Sequence, residues 1–104
     1  MQPVELVLQR RVALPVDAAR GELGAALVAF SPTARGFLAG RIHSAADLEE
    51  GDLRRSMPRS QDENLRHNLA AVERLQELAR AIGCTPAQLS LAWVLGQWQG
   101  VLPI

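Results

Sequence analysis

Short runs of apolar residues alternate along the chain with longer amphipathic segments. Three runs predict β-strands, because they are rich in β-forming residues and are bounded by turn-forming residues: Val4–Leu8, Ala26–Phe30 and Val101–Ile104. The first run begins almost at the first residue, and the last one reaches the end of the sequence.

The second run has apolar residues on both of its faces. In a strand, Val28 and Phe30 share one face and Leu27 and Ala29 share the other. A strand that is apolar on both faces is typical of a parallel sheet covered on both sides. We therefore expect Ala26–Phe30 to be a covered, parallel strand.

Helical periodicity appears in the segments between these runs. A short helix is predicted from Pro15 through Leu23, with Gly24 as its end. The strongest pattern runs from Leu65 to Ile82, where apolar residues recur at intervals of three and four and charged residues take the other face. Gly83 is expected to end this helix.

A further helix is predicted to begin at Thr85. Threonine stands at the cap, Pro86 at the first helical position, and Gln88 at the spacing that closes a capping box. Its continuation, Leu89–Leu95 including Trp93, is nearly all apolar. We expect this helix to be wedged into a core.

The segment after the second strand has the composition of a binding loop. Ser31 and Pro32 break the apolar run, and a short stretch with glycines and one arginine follows as far as Gly40. Residues 41–60 are expected to be irregular, except for a helical turn at Ala45–Glu49 with Ser44 and Asp47 at capping-box spacing.

The predicted order of elements is strand, helix, strand, long loop, two helices and strand. This alternation is typical of a parallel α/β sheet or barrel. With 104 residues, the chain is expected to be a single domain over residues 1–104, or part of a larger one.

Charge excludes several classes of partner. The 11 basic residues equal the 11 acidic ones, and no block of like charge is present. We therefore expect binding neither to nucleic acid nor to an anionic membrane. Since the sequence has neither a leader pattern nor an apolar run of spanning length, we expect a cytoplasmic protein.

Residue usage limits the chemistry that the chain itself can perform. Cys84 is the only cysteine, which excludes an internal disulfide, and we expect a small structural thiol there. All 11 basic residues are arginine, and the sequence has no tyrosine. Schiff-base formation on lysine and proton donation by a phenol are therefore impossible within this chain.

The loop and the segments after it resemble one family. FSPTARGFLAG at residues 30–40 is similar to the YSPLGRGFLTG loop of aldo-keto reductases, and the likeness continues through DLRRSMPRSQDENLRHNLAAVERLQELA and GCTPAQLSLAWVLGQ to VLPI. The family fold is a (β/α)8 barrel that binds NADP(H) at the carboxyl ends of its strands and reduces aldehydes and ketones. The resemblance implies a truncated member, a partial TIM barrel with the sixth to eighth strands and their helices.

The resemblance also implies roles for residues of the loop. Phe30 stands where the family has an aromatic residue that stacks on the nicotinamide ring. Ser31, Thr33, Arg35 and Gly36 stand where the family grips the cofactor pyrophosphate. Small residues let the backbone approach a phosphate, and arginine can bind one with two aligned donors.

Departures from the family pattern concern catalysis and the loop's backbone. The family's catalytic aspartate, tyrosine, lysine and histidine lie on earlier strands, so the resemblance implies no catalytic residue in this chain. Thr33 and Ala34 replace a leucine and a glycine of the family loop. The sixth-strand motif EYSL has become Glu5-Leu6-Val7-Leu8.

Several residues have a second interpretation. Phe30 is either a platform for the cofactor or an ordinary core residue, and Arg35 either contacts phosphate or is solvated. His43 and His67 lack a further histidine or cysteine at ligand spacing, which favours surface or capping roles and no metal site.

Charged residues of the long loop leave a similar choice. They either shape the mouth of a substrate pocket or, as we expect, form a solvated loop: Asp52, Arg54, Arg55 and Arg59.

Two functional hypotheses follow from the sequence. In the first, the chain is the C-terminal segment of an NADP(H)-dependent aldo-keto reductase that binds nicotinamide cofactor and carbonyl substrate only in a complete barrel. In the second, it is a non-catalytic α/β module that forms a homo-oligomer or pairs with an N-terminal barrel fragment. The unfilled edges of a partial barrel are expected to expose hydrogen-bonding groups and the apolar side chains of Val28, Trp93 and Leu95.

Overall fold

The computed structural model describes residues 19–97 and 99–104. The predicted strand Val4–Leu8 and the start of the predicted helix at Pro15 lie outside these residues. Residues 19–23 are helical, and Gly24 follows with a φ of 66°, as expected for the end of a helix at glycine.

The two predicted strands that lie in the described residues pair in parallel. Strand β1 covers Leu27–Ala29 and strand β2 covers Val101–Pro103, with Val28 opposite Leu102. This confirms both predicted strands, each shorter than its apolar run. Parallel strands need a crossover connection, and the segment between them supplies it.

The crossover consists of short turns followed by two α-helices. Helix α1 covers Asp62–Ile82 and helix α2 covers Pro86–Leu95. The segment before them contains four 3₁₀ turns: Phe37–Ala39, Ala45–Asp47, Leu53–Ser56 and Pro58–Ser60. From residue 19 onward the order of elements is therefore the predicted one, and the described chain is an α/β fold.

Local hydrogen bonds end and begin the helices where the sequence predicts. The N–H groups of Gly83 and Cys84 both donate to Ala79 O, at 2.9 and 3.0 Å, and close the end of α1. At the start of α2, Thr85 N–H donates to Gln88 Oε1 and Gln88 N–H donates to Thr85 Oγ1, which is the predicted capping box.

A small core joins the segment after β1 to α1. Five apolar residues are buried in it, and Ala34, Leu38 and Leu69 pack against them: Phe37, Ile42, Leu48, Leu65 and Val72. The core therefore fixes the loop after β1 on the longest helix of the structure.

The expected exposure of Val28, Trp93 and Leu95 is confirmed, whereas two other expectations about burial are wrong for the described residues. Val28 is 52% exposed, so β1 is not covered on both faces. In α2, Trp93 is 52% and Leu95 54% exposed, so this helix is not wedged into a core. The reason is that the described residues place packing partners on only one side of the sheet, where Val101 is buried and β2 contacts α2.

The uncovered side of the sheet is apolar and continuous. Because residues in register share a face in a parallel pair, four exposed side chains lie together: Val28, Phe30, Leu102 and Ile104. We call this set the open face.

Of the helices in residues 19–97 and 99–104, none combines the length and apolarity required to cross a membrane.

A substitution at Gly40 tests whether the loop after β1 is attached to α1. Its φ is 73°, and Gln76 Nε2 donates to its carbonyl oxygen at 3.2 Å. A Cβ at this position would collide with the same Gln76 amide. We predict that Gly40→Ala lowers the free energy of unfolding by about 2 kcal/mol, from left-handed strain and a lost hydrogen bond.

Urea unfolding followed by circular dichroism measures this effect. Gly21→Ala is the matched control, because Gly21 lies in the helical residues 19–23 and a Cβ there meets no atom within 4 Å. This substitution should raise the free energy of unfolding by about 0.5–1 kcal/mol. An unchanged unfolding midpoint for Gly40→Ala contradicts the proposed contact.

Candidate functional site

An open cleft lies at the carboxyl ends of the two strands. Phe30 and Ser31 follow β1, and Ile104 follows β2. The cleft has a volume of about 650 Å³ and is lined by Phe30, Ser31, Pro32, Thr33, Arg35, Leu91 and Ile104. Ligands of parallel α/β sheets bind at this end of the strands, because the loops that leave the sheet converge there.

Hydrogen bonds of the sheet place the loop beside the end of β2. Ser31 N–H donates to Ile104 O at 3.0 Å, and Ile104 N–H donates to Ala29 O at 3.0 Å. These two bonds extend the parallel ladder by one step beyond the strands. Ser31, the first residue of the loop, is therefore held by backbone hydrogen bonds and not by its side chain.

The loop after Phe30 turns through left-handed backbone conformations. Positive φ angles occur at Ser31 (56°), Ala34 (51°), Arg35 (57°) and Gly36 (85°). A left-handed conformation costs a residue other than glycine about 1–2 kcal/mol. Ala34 stands where the resembled motif has glycine, and its positive φ gives a physical reason for that glycine. Strained backbone of this kind concentrates at functional sites.

The turn leaves several hydrogen-bond donors available. Ala34 N–H donates to Ser31 O, but the N–H groups of Thr33, Arg35 and Gly36 find no acceptor in residues 19–97 and 99–104. The guanidinium of Arg35 likewise forms no ion pair or hydrogen bond with the described residues, and Arg35 is exposed. Three backbone donors and one cation in a single turn can bind an anion such as a phosphate group.

Phe30 supplies an apolar surface beside these donors. Its side chain is 73% exposed, so it is not a core residue, and the core interpretation is wrong for the described structure. It lies on the open face next to Ile104 and lines the cleft. A ligand with a flat ring and a phosphate group fits this pairing of an accessible aromatic residue with unpaired donors.

Asp52 and Arg54 form an ion pair beside the loop. Arg54 Nε donates to both carboxylate oxygens of Asp52, at 3.0 and 3.1 Å, and Nη2 donates to Oδ2 at 2.6 Å. Arg54 Nη1 also donates to Arg35 O at 3.1 Å. The side chains of Asp52 and Arg54 are only 18% and 33% exposed, so their interpretation as solvated loop charges is wrong.

The ion pair depends on the ionised carboxylate. Hydrogen bonds from the Arg54 side chain and then from its backbone N–H lower the pKa of Asp52 to about 2. A carboxyl group whose pKa falls on folding stabilises the fold above its unfolded pKa of about 3.9. This contribution is therefore complete above about pH 4 and is lost as the pH falls through about 2.

Most of the predicted site residues meet in the cleft. Phe30, Ser31, Thr33 and Arg35 line it, and Gly36 follows directly without lining it. No sequence pattern pointed to Leu91 as a lining residue. Ile104 could have been inferred from a parallel register that places the end of the third run beside Ser31.

The remaining candidates lie away from this grouping. His43 and His67 are exposed, and His43 N–H donates to Asp47 Oδ2 at 2.7 Å. Cys84 is half-buried at the end of α1. Within the described ranges, no group of three or more histidine, cysteine, aspartate or glutamate residues is arranged to hold a metal ion.

Nearly the whole chain is similar to known proteins. Residues 6–104 match the profile of the Aldo/keto reductase family. Over 78 residues the chain is 47% identical to the NADP(+) aldo-keto reductase yakc of Schizosaccharomyces pombe, a match that covers 75% of this chain and 23% of that protein.

A solved structure is similar as well. The glycerol dehydrogenase of Gluconobacter oxydans matches with a TM-score of 0.73 and 26% sequence identity, over 85% of this chain and 28% of that one. The chain therefore spans less than a third of the length of these relatives.

Proposed function

Because the chain belongs to the aldo/keto reductase family, we propose that it is the C-terminal segment of an NADP(H)-dependent carbonyl reductase. In this proposal β1 and β2 are the seventh and eighth strands of a (β/α)8 barrel, and the cleft is part of its cofactor pocket. The NADP(+) specificity in the name of the yeast relative supports the choice of cofactor.

One observation carries the proposal. An accessible aromatic residue, Phe30, and the unpaired donors of Thr33 and Arg35 meet at the carboxyl ends of two parallel strands, and the unpaired Gly36 N–H follows directly. Phe30 would stack on the nicotinamide ring, while Ser31, Thr33, Arg35 and Gly36 would hold the pyrophosphate. The bound cofactor supplies a hydride for a carbonyl carbon.

The role of Arg35 predicts a specific loss of affinity. The sequence-based hypothesis places cofactor binding only in a complete barrel. Because the described chain already brings Phe30 and Arg35 to one cleft, we propose that it binds NADPH weakly on its own. Arg35→Ala should weaken this binding about tenfold, since a charge-assisted hydrogen bond to phosphate is removed. Isothermal titration calorimetry with NADPH measures the change.

Arg74→Ala is the matched control for Arg35→Ala. Arg74 is exposed on α1 and does not line the cleft, so its loss removes the same charge without touching the site. Equal dissociation constants for the two variants, or no binding of NADPH by the wild-type chain, would contradict the assignment.

Proton donation is the part of the reaction that this chain does not supply in our proposal. The chain has neither lysine nor tyrosine, and we infer that the family's catalytic residues come from barrel strands outside it. Hydride transfer to a carbonyl needs a proton for the developing alkoxide. The cofactor pocket and the proton donor would then be joined only in a complete barrel.

We predict that the isolated chain does not reduce carbonyl compounds. Incubation with NADPH and 4-nitrobenzaldehyde should show no loss of reduced-cofactor absorbance above a buffer blank. A complete aldo-keto reductase in the same assay is the positive control. Turnover by the pure chain would refute the division of roles between this segment and the rest of a barrel.

A non-catalytic α/β interaction module, or a subunit that completes a split barrel, is the second candidate function. Its support is the apolar surface of the described chain, which includes the open face and exposed residues of both helices: Leu78, Ile82, Trp93 and Leu95. The cofactor titration separates the two candidates, because an interaction module alone has no reason to distinguish Arg35 from Arg74.

A further inference from the structure

Arg54 connects the turn at Leu53–Ser56 to the loop at the cleft. Its guanidinium is planar and carries five N–H donors in a fixed fork. Nε and Nη2 bind the carboxylate of Asp52, and Nη1 donates to Arg35 O at 3.1 Å. The carboxylate therefore fixes the orientation of the group that holds the Arg35 carbonyl.

This carbonyl belongs to the same peptide unit as the Gly36 N–H. A trans peptide unit is planar, with its C=O and N–H pointing in opposite directions. No cis peptide bond occurs in the described chain. A hydrogen bond that holds Arg35 O consequently also fixes the direction of the Gly36 N–H, which has no acceptor within the described chain.

The conformation of this peptide unit needs such support. Arg35 has a φ of 57°, a left-handed conformation that its side chain disfavours, and Gly36 follows with a φ of 85°. Rotation of the peptide unit would change ψ of Arg35 and φ of Gly36, redirect the Gly36 N–H and break the contact with Arg54. A charged donor on the carbonyl also polarises the unit, so that its N–H becomes a stronger donor to an anion.

The segment that holds Arg54 is itself attached to the core and to α1. Leu48, at the end of the preceding turn, is buried in the core. Asn68 Nδ2 on α1 donates to Arg59 O at 3.0 Å, and Asn64 Nδ2 donates to Pro58 O at 3.2 Å. Arg54 thus links the loop to the longest helix of the structure.

We propose that Arg54, oriented by Asp52, is a positioning residue that sets the Gly36 N–H for an incoming phosphate group. The proposal rests on the proposed function, since the anion is the pyrophosphate of NADP(H). Arg54 acts through the backbone of Arg35 and is not itself required to touch the cofactor.

The variants are chosen so that the effect of the Arg54 charge on cofactor affinity can be told apart from the effect of its contacts with Asp52 and Arg35. Arg54→Met removes the cation and the contact, whereas Arg54→Lys keeps the cation but loses the fork that reaches Asp52 and Arg35 together. Asp52→Asn makes the site more positive and weakens the orientation of Arg54. Arg55→Met is the matched control, because Arg55 is the adjacent arginine and is exposed.

Affinity for NADP⁺, measured by calorimetry, is the first readout. We expect about tenfold weaker binding for Arg54→Met, and weaker binding also for Arg54→Lys and Asp52→Asn. Arg55→Met should change the affinity less than about twofold. A role for charge alone would instead give tighter binding with Asp52→Asn and equal losses for the two methionine variants, which would overturn the proposal.

The amide signal of Gly36 in the chain without cofactor is the second readout. In ¹H–¹⁵N spectra, Arg54→Met and Asp52→Asn should shift this signal and speed its hydrogen exchange, while Arg55→Met leaves it unchanged. Far-UV circular dichroism checks that each variant keeps its helices.

The two readouts distinguish the failure of the positioning role from that of the cofactor site. If the wild-type chain does not bind NADP⁺, the proposed function fails and the positioning role for that cofactor fails with it. If the wild-type chain binds NADP⁺ but the Gly36 signal is the same in wild type and Arg54→Met, only the positioning role is overturned.

Discussion

The parallel hydrogen bonding between β1 and β2 determines where every part of the candidate site lies. Each strand has only three residues, yet the ladder continues through Ser31 N–H and Ile104 O beyond their ends. That extra step brings the start of the loop against the end of the chain's last strand. Without it, Phe30, Thr33 and Arg35 would not share a cleft with Ile104.

A parallel pair cannot be closed by a tight turn, so the intervening chain has to return to the start of the sheet. In this chain the returning segment has two roles. Helix α1 carries the core that holds Phe37 and Leu48, and the turns before it carry Asp52 and Arg54 to the loop. The crossover thus both covers one side of the sheet and supports the strained backbone at the cleft.

Local features of the fold were predictable from the sequence because their interactions span only a few residues. The Thr85–Gln88 capping box and the end of α1 at Gly83 rest on contacts between neighbours in sequence. For burial, the sequence supported two opposite predictions. The apolar patterns predicted a covered β1 and a buried α2, whereas the unfilled edges of a partial barrel predicted exposed Val28 and Trp93, and the structure has the exposure.

The candidate site was likewise predictable where it rests on local sequence patterns, and not where it rests on contacts between distant residues. The loop residues were identified through a motif, which is a local pattern, and most of them line the cleft. The contact from Arg54 to Arg35 joins residues 19 positions apart and uses a backbone carbonyl. No pattern of side chains in the sequence predicts such a contact. Alanine by itself does not indicate the left-handed φ of Ala34, and only the glycine at this position of the family loop points to it.

Mapping of NADP⁺ onto the chain by ¹H–¹⁵N spectroscopy tests the central claim most directly, that the cleft beside residues 30–36 is a cofactor site. We predict that titration shifts the amide signals of residues 30, 31, 33–36 and 104, and leaves those of the exposed face of α1 around Arg74 unchanged. An unperturbed spectrum, or shifts centred on α1, would contradict it.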